Sequence, residues 1–234
     1  MNRFRHRCYD KELLDEPGIP FDAIARNMRE LDVINTRLGG HTITTKGVEI
    51  LTGNDPQKAS WHIAEIGCGG GDNLRAIARW ARARGIGVRL TGIDWNAECI
   101  HYAQERAGSG AIDFVCSDYR AVEFGRAPDI IFSSLFCHHF TDAELVGQLQ
   151  WMAREARTGF FINDLHRHPL AYHSIRWLTK LFSRSALVKN DAPLSVRRGF
   201  RRSEWAQLLE AAHIPAYRIH WKWAFRWLII APHG

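Results

Sequence analysis

The amino-acid sequence predicts a doubly wound α/β fold, a mainly parallel sheet covered by helices on both faces. Two observations carry this. From Trp61 onward, short near-continuous apolar runs alternate with longer segments of helical period, and strands apolar at successive positions are those buried on both faces in parallel sheets built by helical crossovers. The chain then closes on two β-rich runs joined by a tight turn near Lys222–Ala224, a hairpin that adds an antiparallel element. With 234 residues, 46% of them hydrophobic, the chain can fill the core of one such domain with an added flap. Its 24% charged residues, 19 glycines and 8 prolines argue against a disordered or fibrous chain.

In chain order, residues 21–38 place Ile24, Met28, Leu31, Ile34 and Leu38 at helical spacing, with Gly39 and Gly40 as a C-terminal stop. Residues 1–59 are therefore expected to form an N-terminal helical cap ahead of a main domain over 60–234. "WHIAEI", "GVRLTGI", "AIDFVC", "PDIIFSS" and "GFFIND" read as five buried strands, separated by helices near 72–84, 96–107 and 141–155 and a short one near 119–124. Residues 165–200 break the alternation and are expected to form a flap, in which Leu170, Ile175, Leu178, Leu181 and Phe182 follow a helix with arginines and lysines interspersed. The alternative is an interfacial helix in peripheral contact with membrane, since Trp177 with Lys180 and Arg184 suits an anionic surface. "RRSEWAQLLEAAHI" resumes a helix before the hairpin, where Trp221, Trp223 and Trp227 at alternate positions read as sheet packing.

Composition also bounds where the chain works and what it meets. The five cysteines (Cys8, Cys68, Cys99, Cys116 and Cys137) are odd in number, scattered, and never in a CxxC pair. No disulfide framework or zinc ribbon is expected, which favours a reducing cytoplasm. The basic N-terminus lacks an apolar core segment, and no run of about 18 uncharged apolar residues occurs, so neither secretion nor membrane spanning is expected. A net charge of +6 can mean acidic partners, and its distribution decides more than its sum. Arg75, Arg79 and Arg82 share a face of one predicted helix, read as solvated, with Arg84 beyond them. "RRGFRR" over 197–202 has two readings, a solvated helix start or an anion site.

"IAEIGCGGGDN" is a strand running into a glycine loop that opens a helix, the context of a nucleotide-type site. The dinucleotide pattern GxGxxG needs glycine at the sixth position from Gly67, where Asp72 stands. GxGxG fits instead: Gly67, Gly69 and Gly71, with Glu65 in the strand before them and Cys68 a small residue within the loop. Glycines let the backbone turn sharply and approach a ligand closely. An acid beside that loop repels a pyrophosphate and suits a ligand carrying an ammonium and a sulfonium. Asp94, ending the second strand, can accept both hydroxyls of a ribose. Asp118, in "FVCSDY" after the third strand, can accept from an adenine amino group.

In these residues the sequence resembles the class I S-adenosylmethionine-dependent methyltransferases, over about residues 60–164. "EIGCGGG" is similar to their first motif, Asp94 to their ribose-binding acid, "SDY" to their adenine-side motif, and "PDIIFSSLFCHHF" to the fourth-strand motif of the small-molecule branch. The resemblance implies a Rossmann-like sheet of seven strands, the last antiparallel, in agreement with the hairpin read independently. It implies S-adenosyl-L-methionine as cofactor, S-adenosyl-L-homocysteine as product, and a cofactor set of Glu65, Gly67, Cys68, Gly69, Gly71, Asp94, Trp95, Asp118, Tyr119 and Ser134. Trp95 either flanks the adenosine or is an ordinary surface or core tryptophan.

Methyl transfer from a sulfonium is an in-line displacement, so much of the catalysis can come from positioning. A base is needed only when the acceptor must lose a proton, and is then worth about 10²–10⁴-fold. His138 and His139 end the fourth strand; either can face the acceptor, or both can hydrogen-bond backbone at the start of the helix opening with "TDAEL". A second group, Asn163, Asp164, His166, His168 and Tyr172, follows the fifth strand at the same sheet edge, where α/β folds bind ligands. His166 is the first candidate base and His139 the second, against a solvated histidine-rich loop. No metal is expected, because adjacent histidines at a strand end do not easily converge on one ion.

The expected activity is methyl transfer to a small apolar or aromatic acceptor, with oxygen favoured, in bacterial natural-product or quinone-type metabolism. The alternatives are an RNA or protein methyltransferase and a non-catalytic S-adenosylmethionine-binding protein. A nucleic-acid partner is not favoured, since no "NPPY"-like motif or RNA-binding module occurs.

Overall fold

A computed structural model describes residues 3–16, 18–53, 58–108 and 112–233. Seven strands form one sheet in the order β3-β2-β1-β4-β5-β7-β6: β1 (Ser60–Ile66), β2 (Gly87–Asp94), β3 (Ile112–Cys116), β4 (Ile130–Ser134), β5 (Gly159–Leu165), β6 (Arg218–Lys222) and β7 (Arg226–Pro232). β1 to β5 pair in parallel, while β7 runs antiparallel to both β5 and β6. The five sequence-predicted strands are these parallel five; Ala111, the first residue of the third, lies outside the described residues, as do Met1, Asn2, Pro17 and 54–57 of the expected cap.

The double burial that predicted the fold is visible within single strands. Along β5, Phe160 and Ile162 enter one core with Leu145, Leu149 and Trp205, whereas Phe161 enters the other with Leu51, Leu74 and Phe132. The Phe132 and Phe161 rings stack with centroids 4.8 Å apart. α5 (Asp142–Glu155) and α8 (Arg202–Ala211) cover the first face. α5 starts with a capping box between Thr141 and Glu144. α3 (Asp72–Arg84) and α4 (Ala97–Ala107), the latter capped by Asn96, cover the second face with α2 (Gly40–Thr52).

The expected cap over 1–59 divides in two. α1 (Phe21–Arg37) packs Ile24, Ala25 and Met28 on Cys99 and Tyr102 of α4, beside the glycine loop. Gly39 does stop α1, as expected, but its φ of +76° turns the chain directly into a second helix, α2. α2 buries Ile43, Val48 and Leu51 against the sheet and is a covering helix, not a lid.

Residues 165–200, where a flap is expected, hold α6 (Pro169–Phe182) and α7 (Ala186–Arg198). Their junction is held from α1 by Glu30, which accepts from the Ser183 hydroxyl and from the backbone N–H groups of Arg184 and Ser185. The arginine-rich stretch after it is neither a solvated helix start nor an anion site throughout. Arg198 is buried and donates to the carbonyls of His138 at 3.0 Å and His139 at 2.8 Å. Arg75 likewise leaves the solvated face read for it and donates to Gly70 O at 2.6 Å, bracing the glycine loop. Of the three hairpin tryptophans, Trp227 packs in the core, whereas Trp221 and Trp223 are exposed. No helix among the described residues is long and apolar enough to cross a membrane.

Candidate active site

The carboxyl ends of the parallel strands open onto a cavity of about 690 Å³, roofed by α1, α6 and α7 and joined to a second of about 560 Å³. Gly67, Asp94, Trp95 and Phe136 line both. The first holds Glu65, Cys68, Gly69 and Ser134 as well, the second Asp118 and Tyr119. All the predicted cofactor residues except Gly71 therefore meet at this edge.

Gly67 has φ +65°, and a Cβ there would overlap the Phe136 ring, so only glycine lets the loop lie this close to the end of β4. Gly71 lines neither cavity; it caps α3 at φ +70°, where a Cβ would stand 2.8 Å from Phe114. Its contribution is to turn the loop into the helix. The Cys68 thiol is buried, which raises its pKa, and Cys68 N donates to Ile93 O at 3.0 Å, so this cysteine is inert.

Glu65 is the most informative residue of the loop. It is 1% exposed; Oε1 accepts from Asn73 Nδ2 at 2.9 Å, and Oε2 has no hydrogen-bond partner. Burial, reinforced by Asp72 and Asp94, pushes its pKa well up. A buried carboxylate with a free oxygen calls for a cation. Asp72 is supported differently: despite burial, His41 Nε2 at 2.7 Å and Asn35 hold its pKa down. Asp94 accepts from Gly69 N at 2.8 Å through one oxygen and from Asn96 N at 2.9 Å through the other, which leaves each oxygen able to accept once more. Asp118 accepts from Arg120 N at 2.9 Å, and the Arg120 guanidinium lowers its pKa. Trp95 is 70% exposed at the rim.

The acceptor side begins where β4 ends. Leu135 takes φ +54°, a left-handed conformation rare for leucine. It turns the chain into a 3-10 turn over Cys137–His139. His138 is buried; its Nδ1 lies 2.8 Å from Asp164 Oδ1 and its Nε2 3.5 Å from Glu12 Oε1. Burial alone would lower its pKa, but Asp164 and Glu12 raise it to about 9. His139 is partly open to the cavity, with Nδ1 3.3 Å from Asp15 Oδ2 and Nε2 3.8 Å from Glu12 Oε2. Glu12, itself buried, also accepts from Ser195 Oγ of α7 at 2.6 Å.

Two corrections to the sequence expectations follow. Leu165 faces the cavity, so by strand alternation His166 points away from it. His166 lines a shallow depression with Arg167 and His168, and its Nδ1 accepts from Trp221 Nε1 at 3.3 Å. Burial, with His168 and Arg167, lowers its pKa to about 4. Asp164, on the same side of the strand, reaches His138 from behind. Second, adjacency does not keep the two histidines apart. The 3-10 turn sets their rings 4.5 Å apart and brings donor atoms of both within 4.8 Å of Glu12. Asp32, His41 and Asp72 form a similar group. The first is held by ion pairs around a protonated His138, the second by the contacts of His41 Nε2 with Asp32 and Asp72.

Glu12, Asp15, Asn73 and His41 were not singled out by the sequence, and Arg75 was read only as part of a solvated helix face. Only Asn73, beside the glycine loop, carried a local signal.

Residues 63–159 match the family described as Methyltransferase domain. Over 92 residues, 38% of this chain, the sequence is 33% identical to trans-aconitate 2-methyltransferase of Paracidovorax citrulli. The chain spans about a third of the length of that curated relative, 33%. Among solved structures, the plantazolicin methyltransferase BpumL in complex with SAH superposes with a TM-score of 0.66 at 17% identity, covering 91% of this chain and 95% of that one. Magnesium protoporphyrin IX methyltransferase from Synechocystis PCC 6803 with bound SAM gives 0.58 at 13% identity, over 94% and 100% of the two chains. Human N-acetylserotonin methyltransferase in complex with SAM gives 0.62 at 18% identity, over 92% and 57%. At these identities the likeness is one of fold.

Proposed function

We propose that this chain, a class I S-adenosylmethionine-dependent methyltransferase by its matched domain and its sheet order, methylates an oxygen of a small apolar or aromatic acceptor. The observation that carries the cofactor half is the buried Glu65 oxygen with no partner of its own, set beneath a glycine loop too close to Phe136 to admit a side chain. It fits the ammonium of S-adenosylmethionine, which supplies a sulfonium-bound methyl group to a nucleophile. Asp94 would accept the ribose hydroxyls, and Asp118 the adenine amino group. Tyr119 and Trp95 would flank the adenosine, and Gly67, Cys68, Gly69 and Ser134 would complete the wall.

Beyond the cofactor residues the cavity is lined by Met28, Leu31, Ile34, Phe136, Ile175 and Val188, a surface that excludes water and suits an apolar body. Among its polar groups, His139 stands beside Glu12 and Asp15. His139 would take the proton of an acceptor hydroxyl, and the two carboxylates would stabilise the resulting imidazolium. With a pKa raised to about 9, His138 already holds its proton at neutral pH, so it is a positioning residue rather than the base. Trans-aconitate, named for the curated relative, meets mixed charges on this wall: Glu12 and Asp15 repel an anion and Arg198 is occupied by backbone carbonyls, while Arg226 lines the cavity with one guanidinium nitrogen unpaired. Natural-product or quinone-type metabolism suits the apolar cavity, and the free cysteines suit a reducing cytoplasm.

Calorimetric titration with S-adenosylhomocysteine and NAD, beside an Asp94→Ala variant, tests the cofactor half. Binding of the adenosyl compound alone, lost in the variant, is the expected result; binding of NAD in its place would sink the reading. Turnover against a panel of phenols and hydroxyquinones tests the acceptor half.

A further inference from the structure

The roof of the cavity carries a surface that methyl transfer does not use. An amphipathic helix of a globular protein ordinarily turns its apolar stripe inward. α6 turns its stripe outward: Leu170 is 62% exposed, Trp177 62%, Leu181 67% and Phe182 79%, while Ala171 and Thr179 are its buried residues. Leu170, Trp177 and Leu181 are seven and four residues apart and form one line along the helix, with Leu178 and Phe182 beside it. His173, Arg176 and Lys180, all exposed, form a basic line on its flank. From Leu165 to Asn190 the sequence contains no Asp or Glu, so the helix itself carries basic side chains and no acidic ones; Glu30 of α1, at its C-terminal end, is taken up by Ser183 and the backbone of Arg184 and Ser185.

We propose that α6 is an interfacial helix that seats the protein on an anionic lipid bilayer, and that the acceptor enters the cavity from the membrane. The second half of this statement rests on the methyl-transfer reading above; the first does not. A bilayer is the occupant that the charges select, because an apolar face with lysine and arginine at its edge and tryptophan among its apolar residues is what a headgroup boundary binds. A single helical stripe is narrow beside the roughly 800 Å² per partner of a stable protein interface. The stripe is also continuous with the cavity: Leu178 is 41% exposed on α6 and lines the cavity, and Trp223, 68% exposed on the hairpin turn, lines it as well. An apolar acceptor could therefore pass from lipid to the methyl donor without crossing water.

Sedimentation of the full chain with vesicles tests this. Vesicles of phosphatidylcholine mixed with phosphatidylglycerol should pellet the protein, about tenfold more strongly than phosphatidylcholine alone, and added salt should weaken the binding. Trp177→Ser/Leu181→Ser/Phe182→Ser, at three exposed positions that do not line the cavity, should lower vesicle affinity at least about tenfold. Its S-adenosylhomocysteine affinity should be unchanged, which also shows that it folds. Arg176→Glu/Lys180→Glu should lose only the preference for anionic lipid. The proposal is overturned if the parent ignores anionic vesicles or if the serine variant pellets as the parent does. It is equally overturned if light scattering finds a dimer that the serine variant makes monomeric, since the stripe is then covered by a second copy. Loss of S-adenosylhomocysteine binding in the parent would sink the methyl-transfer reading and leave the vesicle result standing.

Discussion

At the scale of single residues, Glu65 and His139 make opposite demands on protons. Glu65 keeps its proton above the ordinary carboxylate range because burial and the neighbouring Asp72 penalise its charge, whereas an ammonium ligand needs that charge. Affinity for S-adenosylhomocysteine should therefore rise with pH as Glu65 ionises, and Glu65→Gln should flatten the profile. The variant should also cost roughly ten- to a hundredfold in affinity, the worth of one hydrogen bond to a charged group. Calorimetry across pH reads both effects, and parallel profiles for parent and variant would exclude Glu65 as the ammonium partner. His139→Ala should leave that affinity intact and lower kcat about 10²–10⁴-fold. Full turnover by the variant with a saturating acceptor would assign the rate to positioning alone.

At the scale of elements, the structure separates what local pattern encodes from what packing decides. The five parallel strands were legible because double burial makes them apolar at successive positions. The convergence of the cofactor candidates on one sheet edge was legible too, since each polar group sits at or near the end of its own strand. α2 was not. "GHTITTKGVEILT" combines two glycines with four threonines, residues of weak helix propensity, and becomes a helix because Gly47 can press against the Phe161 ring. A Cβ at Gly47 would stand 2.5 Å from that ring. Gly47→Ala should therefore destabilise by about 1–3 kcal/mol despite alanine's better propensity, measured as a lower urea midpoint; a higher midpoint would mean that α2 can shift off the sheet at little cost. The acceptor half was hidden for a related reason. Glu12 and Asp15 lie in an irregular segment and gain meaning only from histidines more than a hundred residues away. His166 was misread by one step of strand alternation, which a sequence cannot phase once the strand has begun to end.

At the scale of the whole molecule, His138 joins three parts: the N-terminal segment through Glu12, the sheet through Asp164, and the turn after β4 that carries it. Arg198 and Arg7 brace the same place from the flap and the N-terminus by binding the backbone carbonyls of residues 138–140. Burial works against the His138 charge, yet the two carboxylates lift its pKa from 6.5 to about 9. Despite their own burial, the carboxylates in turn are held below their ordinary values, Glu12 by both histidines and Asp164 chiefly by His138. By linkage, the histidine's contribution to stability is fully present below pH 6.5 and is lost as pH rises through about 9. The contributions of the carboxylates are present above their unfolded values and are lost as pH falls through the folded ones. Stability should therefore hold up to about pH 6.5 and decline above it, as the tie through His138 between the N-terminal segment and the sheet weakens. Urea midpoints followed between pH 6.5 and about 9 should fall in the parent. In His138→Gln they should start lower, because two buried carboxylates lose their counter-charge, and should stay flat across that window. A parent whose midpoint is unchanged there, or a variant that declines in parallel with it, would show that His138 is neutral in the folded protein and that the network is held by hydrogen bonds alone.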